Sequence, residues 1–281
     1  MKNRSIVSSL LSGAVALLIL GGHAKLPKAA AVDVNAGPAG NEWTKVMGDQ
    51  EEHKTYQLKA GAHIDVSIIS GPVSVEAADG SVAEVHIYRS APNHADLAYR
   101  KVSVDQTSSG LTITQKNDGT ERSSIDLLNR VVLKVPRQVS VTGKSISGDF
   151  NISGVVGAVN LNGISGSVNA MNLNGALTIS GVSGNVRVAV ARINDGGLRV
   201  SGVSRNVYLG LARDLNAELR VGNTTAGVSN KIQDLALVTD GPSYYSARLG
   251  SGGPRIEVSD VTGLIVLQPF PIHSRPRGVV I

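Results

Sequence analysis

The chain has 281 residues and no cysteine, and aromatic residues make up only 3% of it. Disulfides and a lipid-modified cysteine anchor are therefore excluded, and the aromatic bulk common in globular enzyme cores is missing. Of the formal charge of +5, part lies in an N-terminal segment that has the features of a cleaved signal. The mature chain would be close to neutral, so its charge does not predict nucleic-acid binding.

The N-terminus has the three parts of a secretory signal peptide. Lys2 and Arg4 are basic, the stretch from Ile6 to Leu20 is mainly apolar, and small residues precede a cleavage point after Ala24. We therefore predict a signal peptide at 1–24 and an exported protein, in the periplasm or on the cell surface. Cleavage after Ala31 and an uncleaved membrane anchor are the alternatives.

Residues 25–55 contain prolines, glycines and charged residues without periodicity, which predicts a flexible leader. From Tyr56 the apolar residues recur every second position, a spacing typical of half-buried strands. Gly71 is followed by Val73 and Val75, a first copy of a unit that recurs later.

That unit is a nine-residue repeat. Glycines stand at positions 148, 157, 166, 175 and 184, and each is followed by apolar residues two, four and, in most units, seven positions later. Such repeats cannot bury their apolar faces alone and stack on one another. We predict an all-β fold, a parallel β-solenoid over residues 56–268 with more irregular N-terminal strands, followed by a C-terminal tail at 269–281.

Two units make one coil of the predicted solenoid. The units that begin at 148, 166, 184 and 205 should stack on one face, and those at 157, 175, 196 and 217 on the other. The residues two and four positions after the glycine should point inward, and those one and three positions after it outward. We expect the glycines to supply positive φ at the corners. The two 12-residue steps, before Gly196 and Ala217, should lie at the same corner of successive coils.

No motif predicts catalysis, a metal or a cofactor. The repeat lacks the acidic residue of calcium-binding β-rolls, and the histidines show no metal-ligand spacing. Asp195 and Asp214, one coil apart, are the single pair of acids in the regular repeats that a polysaccharide-active enzyme could use. We expect them to be solvated loop residues beside Arg192 and Arg213.

The outward positions of the first face are more informative, because they form a polar surface rich in asparagine. It could bind a glycan or a protein, and the alternative is that stacked asparagines stabilise the strands themselves. The residues predicted to bind are Asn151, Asn169, Asn185, Arg187 and Tyr208.

Three stretches resemble a known family. They are Ile69 to Val75, Val131 to Pro136, and the Ser-Gly turns at 147–148, 165–166 and 183–184. The chain from Tyr56 to Leu267 is similar to exported bacterial proteins with a putative adhesin domain of β-strand repeats, a domain of unknown function. The resemblance implies a β-solenoid of the cell envelope with a role in adhesion or scaffolding, and it brings no catalytic residues.

We therefore expect a non-enzymatic interaction module whose partner is an envelope or surface protein or a glycan, with membrane contact only if the N-terminal segment stays uncleaved. A polysaccharide-active enzyme and a periplasmic sensing partner of a signalling system are the alternatives.

Overall fold

The computed structural model describes residues 49–116 and 127–270, and in these residues the protein is all-β, as the sequence predicts. The strands form two mixed sheets, sheet A with ten strands and sheet B with eleven. A short 3-10 helix at His94–Ala98 is the one helical element of this part of the chain. The described residues contain no helix long and apolar enough to span a membrane. The predicted signal peptide lies outside the described residues.

The strands are numbered in chain order. They are β1 Asp49–Gln57, β2 His63–Ser67, β3 Val73–Ala78, β4 Val82–Ser90, β5 Lys101–Gln106, β6 Gly110–Lys116, β7 Leu128–Pro136, β8 Ser140–Ile146, β9 Phe150–Ser153, β10 Val159–Ile164, β11 Val168–Met171, β12 Leu177–Val182, β13 Val186–Val190, β14 Leu198–Val203, β15 Val207–Leu211, β16 Ala217–Thr224, β17 Val228–Asn230, β18 Val238–Thr239, β19 Tyr245–Leu249, β20 Arg255–Val261 and β21 Ile265–Pro269.

Consecutive repeat units alternate between the two sheets. Strands β9, β11, β13 and β15 lie side by side in sheet A, and β8, β10, β12 and β14 lie side by side in sheet B. Neighbouring strands are parallel and in register, so that Val168 pairs with both Phe150 and Val186. We call two consecutive strands, one in each sheet, a rung. The predicted assignment of these units to two faces is confirmed.

The core lies between the two sheets. The inward positions of the repeat, such as Val159, Val168 and Val186, are fully buried, and Phe150 is the largest of the fully buried side chains. The apolar residue seven positions after the glycine is buried as well, as at Val155 and Ile164. Burial of these columns removes apolar surface from water in every rung, which is the main stabilising term for such a stack.

The repeat glycines are required for a reason other than the predicted one. None of the five has a φ in the left-handed region. A Cβ on Gly166 would lie 2.5 Å from the backbone of Gly148, and a Cβ on Gly175 would lie 2.0 Å from the carbonyl oxygen of Gly157. The expectation of positive φ at these positions is therefore wrong, because the glycines allow the backbones of successive rungs to approach closely.

The left-handed conformation occurs six residues after the repeat glycine instead. In sheet B it recurs at the same place on successive rungs of the repeat, with φ of +68° at Gly163 and +63° at Gly181. Asp260 holds the same conformation, with its carboxylate accepting a hydrogen bond from Asn223, which lowers the pKa of Asp260, and Ser259 contributes in the same direction. Asparagine, aspartate and glycine tolerate this region best.

The order of the rungs at the C-terminal end differs from the prediction. Strand β20 lies between β14 and β16, and β21 lies between β15 and β17. The unit at 217 therefore does not stack on the unit at 196, as the spacing predicted. The units at 217 and 254 carry the same apolar pattern, so periodicity alone cannot decide which of them contacts β14.

The N-terminal end follows the same rule. Strand β2 lies between β6 and β8, and β3 lies between β7 and β9. The rungs β2–β3 and β20–β21, the first and last along the chain, are therefore both interior, covered on each side by a rung from the middle of the sequence. Antiparallel pairs, β5 with β6 and β4 with β7, extend the sheets beyond the N-terminal rungs.

A pair of engineered cysteines tests this order, in a chain that has no cysteine of its own. Arg199 and Arg220 each pair with Glu257, one from either side, and neighbouring strands are about 4.8 Å apart. Arg199→Cys with Glu257→Cys should oxidise to a disulfide, detected by mass spectrometry. Arg199→Cys with Arg220→Cys should not, because about 9.6 Å separates alternate strands and exceeds disulfide reach. A disulfide in the second variant would contradict the inserted rung.

The predicted leader is too long, because β1 begins at Asp49, inside the segment 25–55. Strand β1 is the outermost strand of sheet A and pairs only with β4 among the described residues. Charged side chains are common on such edges, where they discourage further pairing. The sequence Asp49–Gln57 is rich in them, and so it lacks the alternation that would have identified it.

Candidate binding surface and histidine cluster

Four of the predicted binding residues form one row on the outer face of sheet A. Asn151, Asn169, Arg187 and Tyr208 occupy the same position on β9, β11, β13 and β15 and are direct neighbours in register. We call this row the outer strip. At about 4.8 Å per strand it is about 14 Å long.

Contacts within the outer strip hold its side chains in place. The amide nitrogen of Asn169 donates a hydrogen bond to the amide oxygen of Asn151, at 2.8 Å. The guanidinium carbon of Arg187 lies 5.0 Å from the centre of the Tyr208 ring, within the range of a cation–π contact. The hydroxyl of Tyr208 is also hydrogen-bonded to Asn206. The strip is therefore a pre-ordered polar surface.

A second column, two residues earlier on each strand, stabilises the stack. Each side chain accepts a hydrogen bond from a backbone N–H of the next rung. Asp149 accepts from Ser167, Ser167 accepts from Asn185, and Asn185 accepts from Asn206, at 2.7, 3.3 and 3.2 Å. Asn206 continues the series to the N–H of Leu264, on the inserted rung. Asn185 thus lies beside the outer strip rather than in it, and its amide oxygen serves the stack.

Arg187 differs in its surroundings from Arg199, its counterpart on sheet B. It is exposed, and no carboxylate of the described residues forms an ion pair with it. Arg199 occupies the corresponding position of sheet B, but there Glu257 pairs with it at 2.8 Å. Arg187 therefore keeps its positive charge available to a ligand.

The acids considered for catalysis are exposed. The two 12-residue steps do share a corner, since the backbone N–H of Ala212 donates to the carbonyl of Val190 on the preceding rung. Asp195 and Asp214 lie on the surface there, and neither lines the small cavity bounded by Arg192 and Ile193. This geometry gives neither carboxylate the burial that would make it a general acid.

A cluster that the sequence did not predict lies at the N-terminal end of sheet A. His53 on β1 pairs directly with His86 on β4, and their rings stack with centroids 4.1 Å apart. The Nε2 atom of His86 lies 3.6 Å from a carboxylate oxygen of Glu84. One potential ligand atom from each of the three side chains lies within 4.8 Å of the others. We call these three residues the histidine cluster.

Hydrogen bonding, nearby charges and burial shift the pKa values of Glu84 and Tyr88 at the histidine cluster. The amine of Lys134 lies 3.6 Å from a carboxylate oxygen of Glu84. The hydrogen bond with His86, followed by the charge of Lys134, lowers the pKa of Glu84. Burial, followed by the charge of Glu51, raises the pKa of Tyr88. Glu84 therefore carries a negative charge at neutral pH.

The histidine cluster could not be found from spacing, because 33 positions separate His53 from His86 and only strand pairing brings them together. The signal that was present is the sequence Glu84-Val85-His86. Its alternation predicts that the carboxylate and the imidazole lie on one face of a strand.

No family model and no curated protein matches the chain. Three solved structures are similar to it. A "putative cell adhesion protein" from Clostridium sporogenes has 13% identity and a TM-score of 0.49, over 79% of this chain and 99% of that chain. A "putative adhesin" from Bacteroides fragilis has 10% identity and a TM-score of 0.31, over 78% and 97%. A "putative lipid binding protein" from Parabacteroides distasonis has 15% identity and a TM-score of 0.32, over 77% and 96%.

Proposed function

We propose that this protein is an exported, non-catalytic β-solenoid of the cell envelope, an adhesin-like module whose outer strip binds an anionic polysaccharide. The observation that carries the proposal is the pre-ordered outer strip, in which Arg187 has no carboxylate partner among the described residues. An arginine guanidinium binds carboxylate and sulfate groups through paired hydrogen bonds.

The contacts of the outer strip favour binding, because ordering of side chains is a cost of association. Arg187 already packs on Tyr208, and Asn169 already bonds to Asn151. A ligand that lies along the strip finds amide groups at one end and a cation at the other. The sheet repeats at about 4.8 Å, which suits an extended polymer rather than a compact small molecule.

A protein partner is the less suitable occupant of this strip. Specific protein interfaces bury at least about 1,000 Å² and have an apolar centre depleted of charge. The centre of the outer strip is made of amides and a guanidinium, with Tyr208 half-buried at its end. Hydroxyl and carboxylate groups of a sugar chain match these donors better.

The test is calorimetric binding of the protein to polygalacturonate, an acidic polysaccharide, with neutral dextran as the comparison. We expect polygalacturonate to bind, and Arg187→Gln to weaken its affinity at least about tenfold, because a charge-assisted hydrogen bond contributes about 1.5–3 kcal/mol. Combined replacement of Asn151, Asn169 and Arg187 by alanine should abolish binding.

Arg199→Gln is the matched control, since Arg199 holds the same position on sheet B but is paired with Glu257. Its affinity for polygalacturonate should be unchanged. Equal weakening in Arg187→Gln and Arg199→Gln would mean unspecific attraction of an anion, and full affinity in the triple variant would exclude the outer strip as the site. Capture of an envelope protein by the outer strip in place of the glycan would show that the partner class is wrong.

A further inference from the structure

The histidine cluster carries an inference that does not depend on the proposed function. It lies on the outer face of sheet A, several strands from the outer strip, where β1 pairs with β4. His53 is exposed, and Glu84 and His86 are partly exposed. Side chains from two strands thus converge on one solvent-accessible position.

We propose that His53, Glu84 and His86 bind a divalent transition metal ion, with Zn²⁺ as the best-fitting ion. Two imidazoles and one carboxylate are the ligand set in which zinc keeps a further position for water, and imidazole nitrogen also suits Cu²⁺ and Ni²⁺. Mg²⁺ and Ca²⁺ prefer oxygen ligands, and two nitrogen donors disfavour them.

The distances are close to those that a zinc ion needs. With metal–ligand bonds of about 2.0–2.2 Å, tetrahedral ligand atoms lie about 3.4 Å apart. His86 Nε2 and the Glu84 carboxylate are already at 3.6 Å, and the three ligand atoms lie within 4.8 Å. His53 is the exposed member, and rotation of its side chain out of the stack with His86 closes the remaining gap.

The other ring nitrogen of His86 lacks a hydrogen bond in the part of the chain that the structure describes. Its Nδ1 atom is buried and has no hydrogen-bond partner among the described residues. A buried polar atom without a partner is unusual and costs stability. An ion bound at Nε2, the atom beside Glu84, leaves this Nδ1 atom outside the ligand set.

Lys134 competes for the same carboxylate. Its amine lies 3.6 Å from Glu84, at about the distance of His86 from Glu84. Binding of a divalent cation therefore has to displace or tolerate the ammonium group, which weakens the site by like-charge repulsion. This contact supplies a variant that should gain affinity rather than lose it.

A metal ion at this site would stabilise the pairing of the edge strand β1 with β4. Strand β1 pairs with β4 alone among the described strands, and the ligands come from both strands. Since a bound ion stabilises the state to which it binds, β1 should fray less in its presence. Zinc would thus act as a clamp on the outermost strand of sheet A.

The test uses the full chain without an affinity tag, titrated with Zn²⁺ by calorimetry and with Co²⁺ by visible absorption, and with Mg²⁺ as the comparison. We expect one Zn²⁺ per chain at this site, no Mg²⁺ binding, and slower hydrogen exchange of β1 amides with zinc. His53→Ala should lower the zinc affinity at least tenfold and remove the slower exchange.

Two further variants make the result unambiguous. His94→Ala removes an exposed histidine elsewhere and should bind zinc as the wild type does. Lys134→Gln should bind zinc severalfold more tightly, because Glu84 loses its competing cation. Absence of saturable zinc binding, or binding that is the same in His53→Ala and in wild type, would overturn the proposal. Unchanged affinity in Lys134→Gln would contradict the competition of the ammonium group with the ion for Glu84.

Discussion

Replacement of Val168 by aspartate should unfold the stacked rungs. Val168 is fully buried on β11 and stands in register between Phe150 and Val186. An uncompensated buried charge costs about 3–5 kcal/mol, and domain stabilities are about 5–15 kcal/mol. Thermal unfolding followed by circular dichroism at pH 7 should therefore show a large fall in midpoint or no folded baseline.

Asn160→Asp is the matched control. It places the same carboxylate at an exposed position on β10, in sheet B. Its midpoint should stay within a few degrees of the wild type, since most surface substitutions change stability by less than about 0.5 kcal/mol. An unchanged midpoint in Val168→Asp would mean that the inward and outward faces of the repeat are reversed.

Periodicity predicts the strands and which of their side chains point inward or outward. Because the side chains of a strand alternate, the apolar positions of the repeat identify the buried column and the polar ones the surface column. Val168 and Asn169 lie on the sides that this rule predicts. The same rule, applied to the sequence alone, places Asn151, Asn169, Arg187 and Tyr208 on one outer face.

The order of the rungs could not be derived in this way. Every rung offers its neighbours the same column of backbone hydrogen bonds and the same apolar pattern, so the unit at 254 fits beside β14 as well as the unit at 217 does. The salt bridge from Arg199 to Glu257 and the hydrogen bond from Leu264 to Asn206 belong to the observed order only. Such specific contacts, and not periodicity, distinguish one arrangement from another.

The histidine cluster escaped prediction for a related reason. His53 lies on an edge strand whose charged sequence hides its strand character, and its partner lies in an antiparallel strand. Antiparallel register depends on the whole pairing of β1 with β4, and no local pattern near His53 specifies it. Sites built across two strands of distant sequence are thus the least accessible to this kind of inference.

The sequence pattern identifies the repeat glycines, but the expected reason for them, positive φ, is wrong. A pair of alanine variants separates positive φ from close approach of the rungs as the reason for a glycine. Gly175 has an ordinary φ, but a Cβ there would lie 2.0 Å from the carbonyl oxygen of Gly157. Gly163 has a φ of +68°, but its nearest neighbour atom would be 3.6 Å away. One glycine is required by space and the other by backbone conformation.

Gly175→Ala should therefore destabilise the protein more than Gly163→Ala. Because the clash is with backbone on the adjacent rung, the strands must move apart, at a cost at or above the upper end of the about 1–3 kcal/mol of overpacking. Gly163→Ala meets only the left-handed penalty of about 1–2 kcal/mol. Chemical denaturation of both variants measures the difference in the free energy of unfolding. The reverse order would show that the adjacent rungs tolerate a methyl group at Gly175, and close approach would then not explain the glycine repeat.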